Sequence, residues 1–84
     1  MNQLPEKMMT PLSAISLHHT VEVVEIRSEC DRAGRLAALG VLPGSRITVS
    51  HVAPLGDPIS VRMGGQEISV RRAEASLVVV REVA

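Results

Sequence analysis

A small, mainly β barrel is the fold class this sequence predicts, and three observations carry that prediction. The chain has 84 residues with no Phe, Tyr or Trp, so its core must be built from aliphatic side chains alone. Twelve Val and five Ile stand against eight Leu, a β-branched excess whose stiff χ1 angles suit a pleated surface better than a helix. Short alternating apolar runs are punctuated by Pro43-Gly44, by the stretch from Pro54 to Pro58 and by Gly64-Gly65, the turn chemistry expected between strands. This length makes one domain, which buries only about 60–65% of the surface its unfolded chain exposes.

Residues 1–9 mix polar and apolar types without a period and read as a flexible N-terminus, leaving residues 10–84 as the single domain. Thr10-Pro11 reads as a helix entry, with Thr10 as N-cap and Pro11 at the first helical position, where its missing N–H costs nothing. Leu12 and Ile15 would make one turn, too short to be stable unless the two plug a barrel end. From Thr20 the period changes to two, with Val21 and Val23 on one face and Glu22 on the other. The adjacent Val23 and Val24 break that alternation, which a bulge or a strand buried on both faces would produce; an exposed valine is the plainer alternative.

Asp31 to Leu39 reads as a helix of two to three turns. Asp31 is its N-cap, Ala33, Leu36, Ala37 and Leu39 form its apolar face, and Arg32 and Arg35 lie on the solvated side. Gly40 then falls where a left-handed C′ residue is needed. Gly34 costs about 1 kcal/mol relative to Ala inside a helix, which suggests close packing there. Pro43-Gly44 predicts a type II turn. The next strand places Ile47 and Val49 on one face and runs to about Val52. Ile59, Val61 and Met63 alternate, Gly64-Gly65 marks a primed hairpin turn, and Ile68 and Val70 alternate again. Arg72 to Ala75 is a polar turn or one helical turn, and Leu77 to Val80 is the last strand. The sum is a partly open SH3-like barrel of about five strands, with one short helix after the first.

Nine basic and nine acidic side chains give no net charge. A nucleic-acid binder needs a positive field, and single-strand binders add aromatic platforms; neither is present, so nucleic acid is not an expected partner. No apolar run approaches the roughly 20 residues that span a bilayer. The N-terminus has no continuous apolar core of a secretory signal, and the single Cys30 excludes an internal disulfide. The chain therefore reads as cytoplasmic.

Its imidazoles are His18, His19 and His51. Adjacent histidines on an extended chain point to opposite sides, and no ligand pair has metal-site spacing, so neither a metal nor another cofactor is expected. Gly64-Gly65 lacks the Lys and helix of a phosphate loop, and no nucleophile–base pair stands out. Asp57 reads as a turn residue bonded to its own backbone ahead of Pro58, and the chain does not read as an enzyme. Leu55 differs: a large apolar side chain at the tip of a Pro/Gly loop either anchors a partner or folds back to cap the barrel.

Three stretches carry a family resemblance: Arg35 through Leu39-Gly40 to Gly44, Ala53 through Leu55-Gly56-Asp57 to Ile59, and Arg71-Arg72 to Ala75. Together they resemble the FeoA family, ferrous iron transport protein A, over about Thr10 to Val80. The resemblance implies an SH3-like fold and a small cytosolic accessory protein of bacterial ferrous iron uptake. It implies the FeoB permease as partner, engaged through that protein's cytosolic GTP-binding region, and leaves weak self-association open. The expected contact surface is Leu39 and Gly40 with Leu55, Gly56 and Asp57, supported at the rim by Arg71 or Arg72. The family usually has a glycine before the first strand, where this chain has His18-His19. The domain type also resembles the C-terminal module of iron-dependent repressors, so a metal-responsive regulator or iron carrier is the alternative reading. A small nucleic-acid-binding barrel is the third, since fold does not fix function.

Overall fold

In the computed structural model, Met9–Pro11 (β1), Thr20–Ile26 (β2), Arg46–Val52 (β3), Ile59–Met63 (β4), Gln66–Val70 (β5) and Val78–Glu82 (β6) form one antiparallel sheet. Its order is β1-β6-β2-β3-β4-β5. The structure describes residues 9–27 and 31–83, with side chains from residue 34 onward in the second stretch. Two short helices, Asp31–Ala38 (α1) and Arg72–Ala75 (α2), and a 3₁₀ turn at Leu12–Ala14 complete the described elements. The fold is the mainly β, SH3-like one predicted, although the sheet has six strands rather than about five and β1 and β5 remain its two edges.

Period-two alternation sets the core. Val21 and Val23 of β2, Ile47 and Val49 of β3, Ile59 and Val61 of β4, and Val78 and Val80 of β6 are all buried. Leu12, Leu36, Val41, Val70 and Ala75 complete a cluster of thirteen buried aliphatic residues, eight of them valine. Each contributes about 1.5–3 kcal/mol of transfer free energy if fully buried as Val or Leu, so the small domain depends on nearly all of them. The Val23-Val24 irregularity is a bulge. Val23 pairs with Val80 but Glu25 pairs with Val79, so Val24 has no partner on β6. A second register shift in β3, between Val49 and His51, had no such sequence signal. There the Ser50 hydroxyl donates to Ser60 O at 3.2 Å and lies 2.7 Å from Glu67 Oε2.

The end of α1 follows from one glycine. Gly40 has φ +94°, its N–H donates to Ala37 O at 2.9 Å, and the Val41 N–H donates to Leu36 O at 3.0 Å. These two bonds are the Schellman pair, and Val41 is buried together with Leu36, the two residues that such a motif packs together. The chain then turns at Pro43-Gly44, with Ser45 N–H donating to Leu42 O at 2.9 Å, and rejoins the sheet where Gly44 N–H meets Val23 O at 2.8 Å. Gly64 and Gly65, both at positive φ, form the primed turn between β4 and β5.

Several local expectations are corrected. Met9 belongs to β1, while the rest of the expected flexible segment, residues 1–8, lies outside the described residues. Thr10 pairs with Val80 and Pro11 with Val79, so Pro11, not Thr10, precedes the short helix. An edge strand tolerates the missing donor of Pro11, which is why a proline there did not forbid pairing. α1 ends at Ala38, and Leu36 alone of its described residues is fully buried, with Ala37 exposed. The expected N-cap and face contacts of Asp31, Arg32 and Ala33 lie outside the described side chains, as does Cys30. The last strand begins at Val78 rather than Leu77 and reaches Glu82.

Gly34 is not tightly packed against the described residues: a Cβ placed there meets none of their atoms within 4 Å. Gly34→Ala should therefore raise stability by about 0.5–1 kcal/mol, measured by chemical denaturation; a loss would show a steric reason for the glycine. His18 sits at φ +71°, with its N–H donating to Val49 O at 2.6 Å, a conformation costly for a residue with a Cβ. His18→Gly should leave the fold intact and raise stability by roughly 0.5–1 kcal/mol, the left-handed penalty outweighing glycine's added chain entropy. A lower midpoint in the same denaturation would contradict this.

Candidate functional site

The loop from Ala53 to Pro58 joins β3 to β4 and is held at both ends. Ala53 N–H donates to Pro58 O at 3.1 Å, and Gly56 N–H donates to Ala53 O at 2.7 Å. Two prolines remove donors that could have extended either strand. Outside the loop, one side chain fixes it. Arg72 Nε–H donates to Gly56 O at 2.8 Å, and its Nη1 donates to Ser13 O at 2.9 Å. The guanidinium thus ties the loop to the 3₁₀ turn, a two-carbonyl bridge that its planar fork suits. Gly56 has φ +87°, a left-handed conformation that favours glycine, while a Cβ there would rest in ordinary contact with Arg72 Nη2 at 3.4 Å.

Asp57 is part of the same brace. Its Oδ1 accepts the backbone N–H of Arg72 at 3.0 Å and lies 3.7 Å from Arg71 Nη1. The expectation that Asp57 bonds its own backbone is corrected: its partner lies fifteen residues on, at the start of α2, where a helix leaves donors unsatisfied. What the bracing leaves outward is Leu55, 96% exposed. The loop does not fold back, and Leu55 does not cap the barrel.

Behind this loop lies a buried carboxylate. Glu74 of α2 is 5% exposed; its Oε1 accepts the Arg71 N–H at 2.9 Å and its Oε2 accepts from Arg35 Nη1 at 2.6 Å. A buried charge is tolerated only when paired and hydrogen-bonded, and both oxygens here have donors. Arg35 is on the solvated side of α1 as expected, yet it is also the ion-pair partner that joins α1 to α2. Neither Arg35 nor Glu74 was singled out by sequence. The one signal available was the three-residue spacing of Arg71 and Glu74, which matches the glutamate half of a capping box but lacks the Ser or Thr that makes the motif recognisable.

Of the seven predicted surface residues, the structure brings together Gly56, Asp57, Arg71 and Arg72, with Leu55 at their tip. Leu39 and Gly40 lie elsewhere. A Cβ on Gly40 would be 3.5 Å from Met63 Cε, and Met63 ends β4 at the opposite end from Ile59, roughly 13 Å along a strand at about 3.3 Å per residue. Between α1 and the loop, Arg35, Pro58, Ser69 and Arg71 line a shallow cleft. Among the described residues no three His, Cys, Asp or Glu side chains gather as metal ligands would. His19 Nδ1 stands 3.8 Å from Glu82 Oε2, both well exposed. No helix among the described residues is long and apolar enough to cross a membrane.

The family model for the FeoA domain matches residues 10–82. The chain belongs to the FeoA family. This family is a small accessory domain associated with ferrous iron transport, not a known enzyme family. The FeoA-like protein of Clostridium acetobutylicum superimposes with a TM-score of 0.86 at 27% identity, over 92% of this chain and 90% of that one. FeoA from Chlorobium tepidum gives 0.82 at 35% identity, over 89% of this chain and 71% of that one. Stenotrophomonas maltophilia FeoA, solved in complex with zinc and described as a prokaryotic SH3 domain protein, gives 0.75 at 29% identity, over 84% and 88%.

The Arg35–Glu74 pair makes a distinctive prediction. Most surface substitutions move stability by no more than about 0.5 kcal/mol. Arg35→Ala, although that side chain is 51% exposed, should lose on the order of 2 kcal/mol because it strands a buried carboxylate, a fall in Tm of roughly 8–16 °C. Adding Glu74→Gln should recover part of the loss, since a neutral amide still accepts the Arg71 N–H. Additive losses in this double-mutant cycle would show that the pair is not coupled.

Proposed function

We propose that this FeoA chain is a cytoplasmic accessory protein of bacterial ferrous iron uptake that docks on the cytosolic GTP-binding region of a FeoB-type permease and modulates it. Family membership supports the transport context. The observation that carries the docking reading is Leu55, an almost fully exposed leucine on a loop braced by Arg72 and Asp57. An apolar side chain held out on a rigid support acts as an anchor for a complementary pocket. Burying one leucine is worth about 1.5–3 kcal/mol, roughly ten- to a hundredfold in affinity. Arg71, 68% exposed beside the loop, supplies the polar rim, while Arg72 acts as the brace.

Leu55→Asp should weaken binding to the detergent-solubilised permease at least tenfold, measured by surface-immobilised binding, and leave Tm unchanged because the side chain packs against nothing. Full affinity in that variant would remove the loop from the interface.

A further inference from the structure

We infer that the cleft between α1 and the loop is an oxyanion subsite that takes a single carboxylate, presented by an acidic side chain of the partner protein. Two arginines, Arg35 and Arg71, line it together with Pro58 and Ser69. Their donors are largely unspent. Arg35 uses only Nη1, on Glu74. Arg71's guanidinium makes no hydrogen bond among the described residues, its nearest carboxylate oxygen being Asp57 Oδ1 at 3.7 Å. The Ser69 hydroxyl is exposed and makes no hydrogen bond among the described residues.

One carboxylate ties both residues to the cleft. Glu74 grips the Arg35 side chain with one oxygen and the Arg71 backbone with the other, so the Arg35 charge is held in place and the Arg71 side chain starts from a fixed backbone position. Guanidinium forks that share an opening favour a planar, bidentate acceptor. Charge sets the class of acceptor. At the cleft, Glu74 is hydrogen-bonded to Arg35 while Asp57 stands 3.7 Å from Arg71, and with Arg72 beside the loop the five side chains together keep one positive charge. That balance matches a monovalent carboxylate better than a divalent phosphate. Pro58 belongs to both the loop and the cleft wall, so the subsite is continuous with the surface that presents Leu55. The inference rests on the docking reading for the source of the carboxylate, but the subsite itself is testable without any partner.

The test is an ¹⁵N NMR titration of the full chain with sodium acetate and, separately, inorganic phosphate, at constant ionic strength against sodium chloride. Acetate should give saturable shifts confined to the Ser69 and Arg71 amides and the Arg35 and Arg71 Nε–H signals. Arg71→Ala should weaken that binding at least fivefold, whereas Arg62→Ala, on β4 beside Glu67, should not. Diffuse or non-saturating shifts, or unchanged binding in Arg71→Ala, would overturn the subsite. Saturation by phosphate alone would overturn the carboxylate assignment. In the permease assay, Arg71→Ala should lower affinity and flatten its salt dependence. An unchanged affinity there, with acetate binding intact, would overturn the partner as its source. If Leu55→Asp binds normally while Arg71→Ala does not, the anchor reading fails and the subsite stands.

Discussion

A buried carboxylate beside an aliphatic core is the constraint on which the proposed docking end of this molecule depends. Glu74 sits on a helix of four residues, too short to be stable by its own hydrogen bonds. It joins that helix to α1 through Arg35 and closes the helix's own entry through the Arg71 N–H. Ala75 beside it is buried in the core. Packing and charge therefore act on the same short segment, and the segment places Arg71 and Arg72 on either side of one loop. Removing the carboxylate would break the ion pair that joins α1 to α2 and leave the Arg71 N–H without its acceptor.

The core explains why such polar fastening is needed. Valine dominates it, and no aromatic ring is available to contribute the 150–250 Å² that one such side chain can bury. Short aliphatic chains fill the space between strands well but do not reach outward over the loops. The connections at the sheet's ends are held instead by directed contacts: Arg72 to Gly56 and Ser13, Asp57 to the Arg72 N–H, and the Ser45 hydroxyl donating to Gly40 O at 3.3 Å. These bonds cost little to form because most involve backbone groups that the turns leave unpaired. They convert a loop with few apolar contacts into one with a fixed shape.

What was legible in the sequence divides along the same line. Alternation located β2, β3, β4 and β5 with their buried faces, and Gly40, Pro43-Gly44 and Gly64-Gly65 marked their turns, because each signal is local. The bulge at Val24 was visible as two adjacent valines. β1 was hidden because three residues are too few for a period and Pro11 argues against pairing. The β3 bulge left one mark, Val52 packing against the core three residues after Val49, which the alternation of Ile47 and Val49 did not by itself reveal. For the site, Leu55 could be singled out by its misfit with a turn, but not whether it points outward. Of the seven residues expected on one surface, Gly56, Asp57, Arg71 and Arg72 lie together with Leu55 while Leu39 and Gly40 lie elsewhere, and the division of roles among the four was illegible. Arg71 and Arg72 are adjacent and chemically identical; only the fold decides that one reaches two carbonyls while the other faces solvent.

That division bears on how a small surface can bind specifically. Association is opposed by the ordering of side chains and loops at the interface, about 0.5–1.5 kcal/mol for each flexible side chain immobilised. Here the loop is ordered in the free chain by bonds that do not involve Leu55, and the Arg35 fork is already held by Glu74. On the docking proposed above, a partner would meet an anchor on a rigid support and a cation whose direction is set, and its contact energy would not be spent on shaping them. The arrangement also separates tolerance from function. Leu55 and the Arg71 side chain contact little within the chain, so both can change without loss of fold, whereas Arg72 and Asp57 brace the loop directly and Arg35 and Glu74 join α1 to α2 behind it.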